Sequence, residues 1–249
     1  MEVHHHGHTV PIAIGRKKWT HYIWEFLMLF LAVSLGFFVE NQREHYVEHQ
    51  REKQYMQSMI EDLVSDTTQF AANRRIRLRR LEMIDSMIEL LSQPDYKNHT
   101  NAIYYFGRVI SPPVNLYPND RTIQQLKSAG GLRLIRKLVV SNNIMAYDQQ
   151  MRLVLSQLVD EVELRAEYRQ LARSIFDGKV WYSMFAPGTF NRAVNNPPLF
   201  KSDLESINTL ISEVQYFKKA DSQQVERITE LIGLATALLD LIKKEYSLK

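Results

Sequence analysis

From Tyr22 to Val39 the chain reads YIWEFLMLFLAVSLGFFV, an apolar run interrupted by a single charge, Glu25. A hydrocarbon core of about 30 Å needs roughly 20 apolar residues of helix, so the run has the length of a transmembrane span. A cleaved signal peptide would have a shorter apolar region followed by a small-residue cleavage site, whereas this run ends in Phe37, Phe38 and Val39. A buried core helix would show polar residues on one face every third or fourth position, and this stretch is apolar all round. The expectation is a single membrane-spanning helix over 19-40, preceded by a His-rich tail over 1-18.

Trp19, Tyr22 and Trp24 cluster at one end of the run, where amphipathic rings favour the headgroup level, and Arg16, Lys17 and Lys18 come just before them. On the far side the basic residues alternate with glutamates in NQREHYVEHQREKQ. The compact RKK cluster therefore orients the N-terminus to the cytoplasm, and residues from about 42 onward to the periplasm of a Gram-negative cell. Glu25 falls about one turn into the span. It can reach back to Lys17, Lys18 or His21, or it can face neighbouring helices as a proton or ion site. Ala32, Ser34 and Gly36 are small enough for close helix approach in a homo-oligomer, which would set copies of Glu25 beside one another.

Neither Gly nor Pro occurs between Glu40 and Gln93, so the spanning helix is expected to continue as a long coiled-coil-like stalk over 41-92. Apolar residues recur at four-three spacing through Met56, Ile60, Leu63, Phe70, Leu81, Ile84, Ile88 and Leu91, with Thr67, Arg74 and Arg77 as exceptions on the stripe. The segment NRRIRLRR places Arg74, Arg75, Arg77, Arg79 and Arg80 within about two turns. Such a run reads as a solvated or ion-paired face, or as a docking patch for an acidic partner or lipid headgroups.

The remainder, 93-249, reads as a helical bundle. Short helices are expected at AIYYFGRVI and at RTIQQLKSA, the latter capped by Asp120 or Thr122 and stopped at Gly130-Gly131. A long helix opens at Ser141 or Asn142 and runs to about Phe176. After an aromatic, proline-rich loop come two further helices, one from Ser202 or Asp203 to about Lys219 and one from Asp221 or Ser222. Only 9 Gly and 8 Pro punctuate the 249 residues, and no strand-like alternation stands out, so the class is all-α with an up-and-down bundle.

The chain has no cysteine, which removes disulfides, thiolate metal sites and cysteine nucleophiles together. His4, His5, His6 and His8 at short spacing can chelate a divalent metal weakly, although the flanking residues offer no second layer of hydrogen bonds. His45 and His49 are four apart, but HYVEH is not the HExxH of zinc proteases. No phosphate-cradling glycine loop, dinucleotide fingerprint or G-x-S-x-G elbow is present. With 31 basic and 28 acidic residues the net charge of +3 does not call for nucleic acid. The sequence points to a non-enzymatic protein with no cofactor.

The stretches RKKWTHYIWEFLMLFLAVSLGFFVENQREH, EKQYMQSMIEDL and LKSAGGLRLIR together resemble a family of single-pass inner-membrane proteins common in Bacteroidota. That family usually has Asn where Gly131 stands, a departure expected to leave the turn intact. The resemblance implies an anchor with a helical extracytoplasmic domain and brings no catalytic residues. The functional expectation is a membrane-anchored structural or interaction protein of the cell envelope. It would self-assemble through its spanning and stalk helices, with the lipid bilayer, copies of itself and an envelope protein as partners. The alternative is a channel or ion-coupled component built on a ring of Glu25.

Overall fold

The structure, a computed structural model, describes residues 19–128 and 130–248. His4, His5, His6 and His8, together with the Arg16–Lys18 cluster, lie outside the described residues. Among the described residues the chain is all-α apart from one two-stranded hairpin. Its helices are α1 (Trp19–Leu91), α2 (Thr100–Val109), α3 (Arg121–Ser128), α4 (Leu138–Ile175), α5 (Gly178–Ser183) and α6 (Leu204–Tyr246). Single turns of 3-10 helix at Tyr96–His99 and Gly131–Leu134 precede α2 and α4. The hairpin pairs β1 (Phe185–Ala186) with β2 (Thr189–Phe190) through a turn in which Gly188 takes a positive φ of 74°.

α1 runs without a break for 73 residues, as the absence of helix breakers after Val39 predicts. It stops where the Ser92 hydroxyl donates to the Ile88 carbonyl and Pro94 follows. The chain divides into two compact units between Arg51 and Glu52, so the part of α1 beyond Glu52 belongs to the folded domain. This differs from the separate stalk expected over 41-92. The apolar face of residues 56–91 is consumed inside the bundle.

In the first unit every described side chain from Trp19 to Val47 is exposed except Ser34, which is partly covered. Phe26 and Phe30 stack at 6.2 Å, and His21 Nε2 lies 3.0 Å from the Glu25 carboxylate. The apolar stretch is long enough to cross a membrane and none of it is buried, which makes it a candidate membrane span.

In the second unit three long helices lie side by side. Tyr147 of α4 meets Asp66 of α1, and Glu161 meets Arg77 further along, so these two helices run parallel. α6 runs against both: Tyr246 bonds Glu52, Thr229 bonds Arg74, and Asp221 bonds Arg77. The parallel pair is possible because residues 92–137, with α2 and α3, carry the chain back along the bundle. A short turn would have forced an antiparallel neighbour.

Two sequence expectations change here. α6 is one helix of 43 residues rather than two, because Lys219–Gln224 contains no breaker and the Asp221 side chain is drawn inward by Arg77 instead of capping a new helix. Its true cap is Asp203, whose carboxylate accepts the Ser206 N–H. α4 also starts earlier than Ser141, at Leu138. At the turn before it, Gly130 adopts the left-handed φ of 63°. A Cβ on Gly131 would come within 3.1 Å of Leu126 Cδ2, so an Asn there would need Leu126 to give by a few tenths of an ångström.

Candidate functional site

The bundle core is divided. One apolar cluster joins Met56–Phe70 of α1 to Val140–Val154 of α4 and Ile228–Tyr246 of α6. The other joins Ile84–Leu91 to Tyr168–Ile175 and Ile207–Phe217. Between them lies a polar layer made of Asn73, Arg77 and Arg80 from α1, Glu161 and Arg165 from α4, and Asp221 and Gln224 from α6, all buried.

Arg77 is its hub, with no exposed surface. Its Nη1 donates to Glu161 Oε1 at 2.8 Å and to Asp221 Oδ1 at 2.6 Å, Nε donates to Asn73 Oδ1 at 2.9 Å, and Nη2 donates to the Val114 carbonyl at 3.1 Å. The planar fork of guanidinium suits this multidirectional role. Arg165 donates to the Ile110 carbonyl at 2.6 Å and lies over the Phe217 ring at 4.8 Å. Arg80 donates to the Pro112 carbonyl at 2.8 Å, and its Nη1 has no hydrogen bond and sits 3.9 Å from Asp221. The carbonyls of residues 110–114 thus thread the crossover loop onto the layer.

Three arginines meet two carboxylates in this layer, which leaves it with excess positive charge. Burial pulls the Arg80 guanidinium down to about 10, and the neighbouring Arg165 and Arg77 charges act in the same direction. Arg165 is also held below its ordinary value, again chiefly by burial. Beside the layer, a cavity of about 100 Å³ between α4 and α6 is faced by the Gln157 and Gln224 amide oxygens, neither with a hydrogen-bond donor. A bound water would suit it.

A second set of buried acids fastens the connecting segments to α1. Asp62 accepts the Thr122 N–H and hydroxyl, so it supplies the cap of α3 from another helix, and it also accepts from Arg121 at 2.6 Å. Asp66 accepts from Asn119 N–H at 2.7 Å and from the Tyr147 hydroxyl at 2.6 Å. Burial pushes the Asp66 carboxyl up despite those bonds, and pushes the Tyr147 phenol up as well. Glu52 accepts from Arg136 N–H and the Tyr246 hydroxyl.

The five arginines expected on one face therefore separate. Arg77 and Arg80 are internal, Arg74 is half-buried against Thr229, and Arg75 and Arg79 are exposed. Helical geometry explains the division, since 73, 77, 80 and 84 fall on the core face with Phe70 while 75 and 79 point away. The expected stripe was displaced by one residue at several turns: the core positions are Asp66, Asn73, Arg80 and Met87 rather than Thr67, Arg74, Leu81 and Ile88. Reading only apolar residues hides a core position held by a charge. The missed signal is Asp62-Asp66 and Asn73-Arg77 at i,i+4 on the otherwise apolar face.

Ala32 and Gly36 are exposed, and a Cβ on Gly36 would meet nothing within 4 Å. Among the described residues no group of three or more His, Asp or Glu side chains converges as a metal site. Comparison with known proteins found no matching family model, no matching curated protein and no matching solved structure.

Proposed function

We propose that this chain is a single-pass inner-membrane protein whose first helix anchors a periplasmic helical domain, acting as a non-enzymatic structural or interaction protein of the cell envelope. The observation that carries the reading is that an uncovered apolar helix long enough to span a bilayer continues directly into the domain's own α1. The RKK cluster before Trp19 supports a cytoplasmic N-terminus. The resemblance to single-pass proteins of Bacteroidota supports the same arrangement. Self-assembly belongs to residues 19–51, because the apolar face beyond them is already packed against α4 and α6. An envelope protein would then engage the bundle's outer surface.

The cysteine-free sequence makes topology directly testable. Single cysteines are introduced as Thr9→Cys and Asn142→Cys, and cells with a permeable outer membrane are treated with a maleimide that cannot cross the inner one. Asn142→Cys should label in intact cells and Thr9→Cys only after lysis. The reverse pattern overturns the orientation, and release of the chain by carbonate overturns the anchor. A channel or ion-coupled role built on Glu25 is the second reading, favoured by a carboxylate beside His21 inside the apolar helix. Glu25→Gln distinguishes the two: proteoliposomes whose ion flux is the same with the wild type and the variant remove the Glu25-based path.

A further inference from the structure

On the outer side of the arginine layer, two adjoining depressions of about 380 and 480 Å³ share Arg79, Met83 and Val109. The first is bounded by Arg75, Arg79 and the buried Arg80, and the second by Tyr105 of α2 and Phe190 of the hairpin. Among the described residues no acidic side chain lines either one, and Arg75 and Arg79 form no ion pair. Arg80 is 6% exposed and belongs to the layer behind them, in which three arginines meet two carboxylates. Two further arginines stack on the aromatic wall, Arg108 over the Phe190 ring at 4.9 Å and Arg192 over Tyr105 at 4.9 Å.

The groove thus offers the Arg75 and Arg79 guanidinium donors, with no protein acceptor, beside the thioether and aliphatic surface of Met83 and Val109, and aromatic surface at the hairpin end. Guanidinium recognises carboxylate and phosphate through paired N–H donors, and the combined space lies in the range of small-molecule sites. We infer that this groove binds a single-chain anionic amphiphile, its carboxylate or phosphate head on Arg75 and Arg79 and its apolar chain along Met83, Val109 and Phe190. The inference goes beyond the anchored-protein reading and does not depend on which way the membrane helix points.

The test uses the full chain in phosphatidylcholine nanodiscs, with empty nanodiscs as the reference. Calorimetric titrations compare dodecyl phosphate and dodecanoate with dodecanol and with inorganic phosphate. The two anionic amphiphiles should bind with one site per chain, and dodecanol and inorganic phosphate should each bind at least tenfold more weakly. The double variant Arg75→Gln/Arg79→Gln changes exposed side chains, so its circular dichroism and Tm should match the wild type while affinity for dodecyl phosphate falls at least tenfold. Phe190→Ala should weaken the amphiphile and leave inorganic phosphate unaffected. Equal binding of dodecanol, equal binding of inorganic phosphate, or a folded double variant with wild-type affinity each overturns the assignment.

Discussion

Arg77 shows what a buried charge does when its partners are equally buried. Removing it strands Asp221 and Glu161 without their main donor, and breaking a buried pair by deleting one partner costs about 3–5 kcal/mol. Arg77→Met should therefore lower unfolding free energy in urea by that amount, while Arg79→Ala, on the exposed side of the same helix, should stay within about 0.5 kcal/mol. Adding Asp221→Asn to Arg77→Met should recover part of the loss, because the stranded carboxylate is gone. Asp66 gives a pH signature of the opposite kind to a surface carboxylate. Its folded-state pKa is raised from the ordinary 3.8 chiefly by burial, so in the pH range between the unfolded and folded values the native chain binds more of this proton than the unfolded chain does. The stability it contributes is fully present below the ordinary carboxylate range and is lost as pH rises through the folded-state value. Denaturant titrations from about pH 3 to about pH 7 should show Asp66→Asn gaining on the wild type as pH rises. At this scale the sequence was least informative. Arg77 and Asp221 are 144 positions apart, and a guanidinium in a basic run gives no local sign that it points inward.

Elements were more legible, because helix formation depends on nearby residues. The unbroken exit of the apolar run into α1 follows from the absence of Gly and Pro, and the Gly130 turn follows from its left-handed backbone. The false break at Lys219–Ser222 has the opposite origin. Asp221-Ser222 is good cap chemistry, and only the tertiary partner Arg77 decides that the helix continues. Two glycines on helices separate local from tertiary control experimentally. In α2 a Cβ on Gly107 would lie 2.7 Å from Phe176 Cζ and 3.0 Å from the Tyr168 hydroxyl, whose bond to the Gly107 carbonyl ties α2 to α4. Gly107→Ala should destabilise by about 1–3 kcal/mol through overpacking. Gly233 sits within α6 with nothing within 4 Å of a Cβ, so Gly233→Ala should stabilise by about 0.5–1 kcal/mol. Thermal unfolding followed at 222 nm checks both, and opposite signs are the expected outcome.

For the molecule as a whole, the boundary between Arg51 and Glu52 carries the consequence with the widest reach. A stripe such as Met56, Ile60 and Leu63 on a long helix permits either a coiled coil between chains or a bundle within one chain, since both bury the same face. The intramolecular choice is made by α4 and α6, whose buried residues Tyr147, Val154, Ile228 and Leu238 cover that stripe. What is left uncovered is the apolar part of residues 19–51, where large side chains such as Phe37 and Leu29 are 75% and 71% exposed. A chain beginning at Glu44 keeps the Glu52 bonds to Arg136 and Tyr246 with two helical turns to spare. It should be soluble without detergent, monomeric by mass photometry, and cooperative in unfolding. On the proposed reading the full chain in detergent should be larger than one copy, and Gly36→Leu, which fills open space on the apolar stretch, should shift it toward monomer without changing the domain's Tm. Should the shortened chain itself assemble, the contact surface lies on the bundle, and the proposed self-assembly through residues 19–51 fails.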